Sequence, residues 1–146
     1  MTSSLATATP EGLARVKAWI EQSEMAKWVA LDAALTEDGL HYSQTFDDKH
    51  IGNDLSRFFH GGVVSTFLQL CATAEALGRL DPGIQSKVVS IHCNYLRPAR
   101  PLNMQGSVSI MQTGRRVAFF DSVCWQDDET KPVARAAVAL RLMEKG

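Results

Sequence analysis

"RFFHGGVVSTFLQL", Arg57 to Leu70, is the stretch on which the fold turns. It reads as a loop ending in His60-Gly61-Gly62, followed by a helix that carries one amide, Gln69, on an inward turn. From Gly61 to about Gly78 the chain is apolar nearly all round, with Val63, Val64, Phe67, Leu68, Leu70, Cys71, Ala74 and Leu77. A helix of that kind is buried on most sides rather than laid on a surface. Glycines at its start leave backbone N–H groups able to bind an acyl oxygen or an anion. Chemistry at such a site ordinarily uses a nearby carboxylate, and here the inward polar side chain is a carboxamide. The choice lies between a hydrolase with an unusual apparatus and a binding fold without its catalyst.

Upstream, "PEGLARVKAWIEQSEMAKWV" from Pro10 fits one amphipathic helix, with Leu13, Val16, Trp19 and Ile20 at helical spacing and Pro tolerated in the first turn. "WVALDAALTEDGLHYSQTF" from Trp28 alternates about the turn "EDG" and reads as a hairpin. "DDKHIGNDLSRFF" reads as a polar loop ending in aromatics, with Asp47 and Asp48 as solvated charge. Downstream come four strand-like segments, "SKVVSIHCNYL", "NMQGSVSIMQT", "RRVAFFDSVCWQD" and "PVARAAVALRLM". They are broken by "RPARP", "TGRR" and "DDETK", each rich in turn formers or charge. Helix, two strands, long helix, four strands gives an α+β domain, an antiparallel sheet wrapped around one central helix at about residues 61–79. A parallel layout would need more crossover helices than the chain offers. Residues 1–9 read as a loose start and 10–146 as a single domain.

At 146 residues, 45% hydrophobic and 21% charged, the chain can bury a real core. A net charge of −1 argues against nucleic acid, which needs clustered Lys and Arg. No apolar run reaches the roughly 18 residues of a membrane span, and the start lacks the pattern of a secretory signal. Cys71, Cys93 and Cys124 fall in apolar segments, in odd number, and read as reduced core thiols of a cytoplasmic protein. No metal site is expected, since His41, His50, His60 and His92 lack companions at ligand spacing.

"HGGVVSTFLQLCATAEAL", "NYLRPARP" and "TGRRVAFFDSVCWQDDETKPVARAAVAL" together resemble the hotdog-fold thioesterases of the phenylacetate-pathway (PaaI-like) type. The resemblance runs from the first hairpin to the end of the chain. It implies a dimer whose sheets join edge to edge, often paired again into a tetramer. It implies active sites between subunits, and acyl-CoA thioesters as substrates with no cofactor beyond the substrate's own coenzyme A. It assigns the N–H that meets the thioester carbonyl to Gly61 and leaves the positioning loop residue open between Asn53 and Asp54. The catalytic Asp or Glu of the family falls at Gln69, and a hydroxyl one turn later at Thr73. The scaffold matches and the acid does not.

Gly61 and Gly62 allow close backbone approach to a ligand, or merely a tight start to a buried helix. His60 either orients the loop and touches substrate or is a hydrogen-bonded structural histidine. Ser65, Gln69 and Thr73 lie four apart on one stripe, so they are either satisfied within the helix or face a cleft. A carboxylate at 69 could attack the thioester or take a proton from water; a carboxamide can only donate to an oxyanion or hold a water. Asp54 is the substitute base on offer, facing a partner's helix in a dimer. Glu75, six residues after Gln69, lies off its stripe and reads as solvated or salt-bridged. Arg97, Arg100, Arg115 and Arg116 at strand ends and turns suit the phosphates of coenzyme A, Arg115 best, or are solvated turns. Trp28, Phe58, Phe59 and Phe67 are candidates to line an acyl pocket. The leading expectation is a thioesterase. The alternatives are a non-catalytic acyl-CoA or small-ligand binding protein, and hydration or dehydration of an acyl thioester.

Overall fold

The computed structural model describes residues 5–145. Of the expected loose start, residues 1–4 lie outside the described residues. Ala6 is held to the end of the central helix, its N–H on Arg79 O at 3.0 Å and its carbonyl on Arg79 Nε at 2.8 Å.

Helix α1 (Pro10–Gln22) starts where Thr9 Oγ1 accepts from Gly12 N–H at 3.0 Å, with proline at its first position. One helix was expected to run on to Val29. It breaks at Ser23, whose N–H closes α1 on Trp19 O and whose Oγ caps a second helix, α2 (Glu24–Trp28), on Ala26 N–H at 3.1 Å. Serine mid-pattern competes with the helix for its own backbone bonds. Trp28 therefore stands on a helix, and the hairpin β1 (Leu31–Thr36) and β2 (Gly39–Gln44) begins three residues later than the sequence pattern suggests. The expected polar loop holds structure of its own: a 3-10 turn at Asp48–His50 and a small hairpin, β3 (Ile51–Asn53) and β4 (Phe58–Phe59).

The central helix α3 spans Gly61–Arg79, as expected. Four strands follow, β5 (Ile84–Tyr95), β6 (Met104–Thr113), β7 (Val117–Trp125) and β8 (Ala134–Glu144). The main sheet has six strands in the order β1-β2-β6-β7-β8-β5, each neighbour antiparallel. Helix α3 packs against β2, β5, β6, β7 and β8, burying Phe67, Leu68 and Cys71 in one core with Tyr42, Met104, Phe120 and Leu140. This is the hotdog arrangement. Approach is close: a Cβ on Gly106 would meet the Phe67 ring at 3.0 Å and Cys71 Sγ at 3.3 Å. Helix α1 crosses the far end of α3, where a Cβ on Gly12 would lie 2.1 Å from Gly78 O. Arg15 reaches over the same end and donates to the carbonyls of Leu77, Gly78 and Leu80 at 3.2–3.4 Å. Those are carbonyls a helix C-terminus leaves without partners.

Glu75 is salt-bridged but not solvated. It is 4% exposed, accepts from Tyr42 Oη at 2.7 Å and pairs with Arg79 Nη1 at 3.0 Å. Cys71 and Cys124 are buried and Cys93 half-buried. Burial pushes all three thiols up, Cys124 to about 12. Among the described residues no helix is long and apolar enough to cross a membrane.

Candidate active site at the start of the central helix

The first turn of α3 is held from several sides. His60 is its N-cap, and its Nδ1 accepts from Gly62 N–H at 3.0 Å. A neutral His60 ring therefore carries its proton on Nε2. The His60 carbonyl accepts from Val63 N–H at 2.9 Å, and Tyr95 Oη, at the end of β5, donates to Gly61 O at 2.7 Å. Of the two glycines, Gly62 has its donor taken by the cap, while the Gly61 N–H has no acceptor among the described residues. A Cβ on Gly61 would touch the Tyr95 ring at 3.5 Å, an ordinary contact, and the residue has no left-handed backbone. Among the described residues nothing demands a glycine there.

Two clefts flank this turn. The first, of about 430 Å³, is walled by Met25, Trp28, Val29, Ile51 and Val63, with His60, Gly62 and Thr66 at one side and Lys49 at its rim. The Lys49 ammonium stands 5.3 Å over the Trp28 ring. The second, of about 360 Å³, holds Gly61, Tyr95 and Arg97 among Phe58, Phe59 and Leu96. Trp28, Phe58 and Phe59 thus line clefts. Phe67 is fully buried and lines neither.

Ser65, Gln69 and Thr73 are half-buried on the face of α3 that the sheet leaves uncovered, the face that Gly62 and Thr66 carry toward the first cleft. The two hydroxyls are satisfied inside the helix: Ser65 Oγ donates to Gly62 O at 3.2 Å and Thr73 Oγ1 to Gln69 O at 3.1 Å. The Gln69 carboxamide makes no hydrogen bond among the described residues. Of these three it is the polar group open to something from outside.

Asn53 Oδ1 is spent on its own turn, accepting from Leu55 N–H at 2.8 Å and Ser56 N–H at 3.4 Å. Asp54 is exposed at the tip of the β3–β4 hairpin and bonds neither to Gln69 nor to any other described residue. Asp47 and Asp48 do more than solvate the loop. Asp47 caps the 3-10 turn on Lys49 N–H, and Asp48 pairs with Arg57 at 2.8 Å.

Arg97 lies beside Gly61 in the second cleft, with Nη1 on Pro132 O at 2.9 Å. Arg100 pairs with Asp127, and its backbone is gripped by the Gln126 amide. Arg115 and Arg116 sit in the β6–β7 turn, at the opposite end of β6 from these two. Ten residues of strand separate the groups, about 30 Å at the usual rise per residue. One chain does not bring them together.

His50 was passed over in the sequence and proves central to the wall between the clefts. It is fully buried, accepts from Asp47 N–H on Nδ1 at 3.1 Å, and donates from Nε2 to Trp28 O at 2.9 Å. Its ring lies edge-on to Trp28 and stacks on Phe59, and its carbonyl accepts from His60 N–H at 2.8 Å. Behind it the buried Gln44 reaches Nδ1 at 3.4 Å, with Oε1 unpartnered among the described residues. The three residues before it, Asp47, Asp48 and Lys49, are charged, and they mask its burial in the sequence. Among the described residues no group of three or more His, Cys, Asp or Glu side chains is placed to hold a metal.

The model of one protein family, the acyl-CoA thioesterase N-terminal domain, matches residues 53–141. No curated protein matches the sequence. Solved structures share the fold at low identity. A mutant thioesterase from Pseudomonas aeruginosa is 19% identical with a TM-score of 0.82, covering 97% of this chain and 100% of that one. A putative thioesterase from Ralstonia eutropha, described as phenylacetic acid degradation-related, is 17% identical with a TM-score of 0.75, over 87% and 98%. A Bacillus halodurans protein solved with CoA is 15% identical with a TM-score of 0.74, over 93% and 91%.

Proposed function

The chain belongs to the acyl-CoA thioesterase N-terminal domain family, and from that premise we propose that it hydrolyses acyl-CoA thioesters at the start of α3. The observation that carries the reading is Gly61: an N–H without an acceptor, on a residue whose missing side chain the rest of the chain does not require. A thioester carbonyl is a fitting occupant, and a donor aimed at it stabilises the oxyanion that forms when water attacks. The coenzyme A bound by the Bacillus halodurans protein supports the same substrate class here. Gln69 holds the attacking water by its open amide. It cannot take the proton, and missing a general base typically lowers a rate by about 10²–10⁴-fold. The carbon–sulfur bond breaks, and coenzyme A leaves as a thiolate that takes up a proton.

The complete site lies between two chains. Strand β5 is an edge of twelve residues with Val89, Ile91, Tyr95 and Leu96 exposed along and beyond it, and a long apolar edge invites a second strand. Antiparallel pairing of two β5 strands sets the far end of a partner's sheet, with its turn arginines, at the end that carries Gly61 and Arg97. It also offers the unattached Asp54 of each chain to the other as a base. The three unpaired cysteines support action in a reducing cytoplasm.

A second reading, an acyl-CoA binding protein without turnover, is favoured by the carboxamide at 69. Chromatographic measurement of CoA released from a broad acyl-CoA panel separates the two. Turnover on any member supports the hydrolase. Binding by calorimetry with no release supports the binding protein, and neither binding nor release removes both.

A further inference from the structure

We infer that Tyr95 is a positioning residue for the Gly61 donor, locking the two-glycine turn so that its free N–H keeps one direction. The inference rests on the thioester reading of that N–H and adds the part that holds it.

Two consecutive glycines are the least constrained start a helix can have, since each samples backbone conformations closed to other residues. A donor that helps only in one direction cannot be left on so loose a hinge, because a displaced donor loses most of its effect on a forming oxyanion. The structure supplies the missing stiffness from two side. The peptide between Gly61 and Gly62 is held at both ends, its oxygen by Tyr95 Oη at 2.7 Å and its N–H by His60 Nδ1 at 3.0 Å. The preceding peptide, which carries the Gly61 N–H, is held through its oxygen by the amides of Val63 and Val64 at 2.9 and 3.4 Å. His60 and the valines belong to the helix start itself. Tyr95 alone comes from another element, the end of the edge strand β5, 34 residues away in sequence. It therefore ties the direction of the donor to the sheet.

The position of Tyr95 argues that the hydroxyl is there for this bond. Within one chain the residue is 54% exposed, so the chain's own core does not require its ring. The Gly61 carbonyl needs no extra donor to be satisfied, since a helix supplies one from within.

The test is the carbonyl stretching frequency of a bound CoA ketone analogue, in which a methylene replaces the thioester sulfur and the carbonyl carbon is carbon-13. Infrared difference spectra of wild type and Tyr95→Phe report how strongly the donor polarises the carbonyl, without any turnover. Phenylalanine keeps the ring and removes only the hydroxyl. Wild type should lower the frequency relative to water, and Tyr95→Phe should lose at least about half of that lowering. In parallel kcat should fall about tenfold with KM changed less than about twofold, the pattern of a contact made in the transition state. A variant that keeps the full lowering and full kcat, beside a wild type that shows them, overturns the role of Tyr95 alone. No lowering in wild type overturns the Gly61 donor and this inference together.

Discussion

Tyr42 donates its hydroxyl to Glu75 at 2.7 Å inside the core, and Arg79 closes the other carboxylate oxygen at 3.0 Å. Burial raises the Glu75 carboxyl above the usual carboxylate range, although both partners pull it down. A carboxyl with a raised folded value holds its proton more firmly folded than unfolded. Its contribution is then fully present at low pH and lost as pH rises through the folded value. Thermal unfolding of Glu75→Gln against wild type, across a pH series from 4.5 upward, should show the difference moving steadily in favour of glutamine and then levelling. A flat difference would contradict the raised value.

Gln69 is half-buried, with a side chain that no described neighbour holds. Gln69→Glu should leave stability within about 0.5 kcal/mol and raise kcat/KM on acyl-CoA at least about tenfold, part of what a general base supplies. CoA release read by chromatography checks it. An unchanged rate in a folded variant would place the water elsewhere.

Two glycines in the first turns of different helices, Gly61 in α3 and Gly12 in α1, should respond differently to alanine. Gly61→Ala should fold at least as well as wild type to within about 1 kcal/mol, alanine being the better helix former, while losing acyl-CoA turnover and affinity. Gly12→Ala would force a Cβ to 2.1 Å from Gly78 O and should lose about 1–3 kcal/mol or more by overpacking. Denaturant unfolding and calorimetry on the two variants test the pair.

Ile91, 37% exposed on the edge strand, should be buried between chains if two β5 strands pair. Ile91→Lys should then shift the protein to a smaller species in light scattering at matched concentration while its circular dichroism stays native. Loss of turnover with the smaller species would place the site between subunits.

The central helix was legible because an apolar run of that length has one solution in a small domain, and the glycines mark its start. The four later strands were legible from alternation and turn chemistry. What the sequence hid was relation across elements. Ser23 looks like one more polar residue on a helix face, yet it ends one helix and caps the next. The segment from Asp47 to Phe59 looks polar, and its hairpin is too short to show a period. Tyr95 reads as a strand residue, and its bond to Gly61 appears only once β5 lies beside α3. The candidate site was legible in its glycines and its glutamine. The arginines were not, because similar turns fall at opposite ends of one sheet.

The family's span begins at residue 53, yet described residues before it pack into the same core. Arg15 supplies hydrogens to three carbonyls at the far end of α3, and Gly12 lets the two helices touch backbone to backbone. Trimming to the matched span would leave the central rod open at its tail and bare along one flank. A piece worth expressing, or grafting into another scaffold, therefore keeps Ala6 and Thr9 with the helix ends they hold, and a junction placed inside the first helix would sever a strut of the very element that presents Gly61.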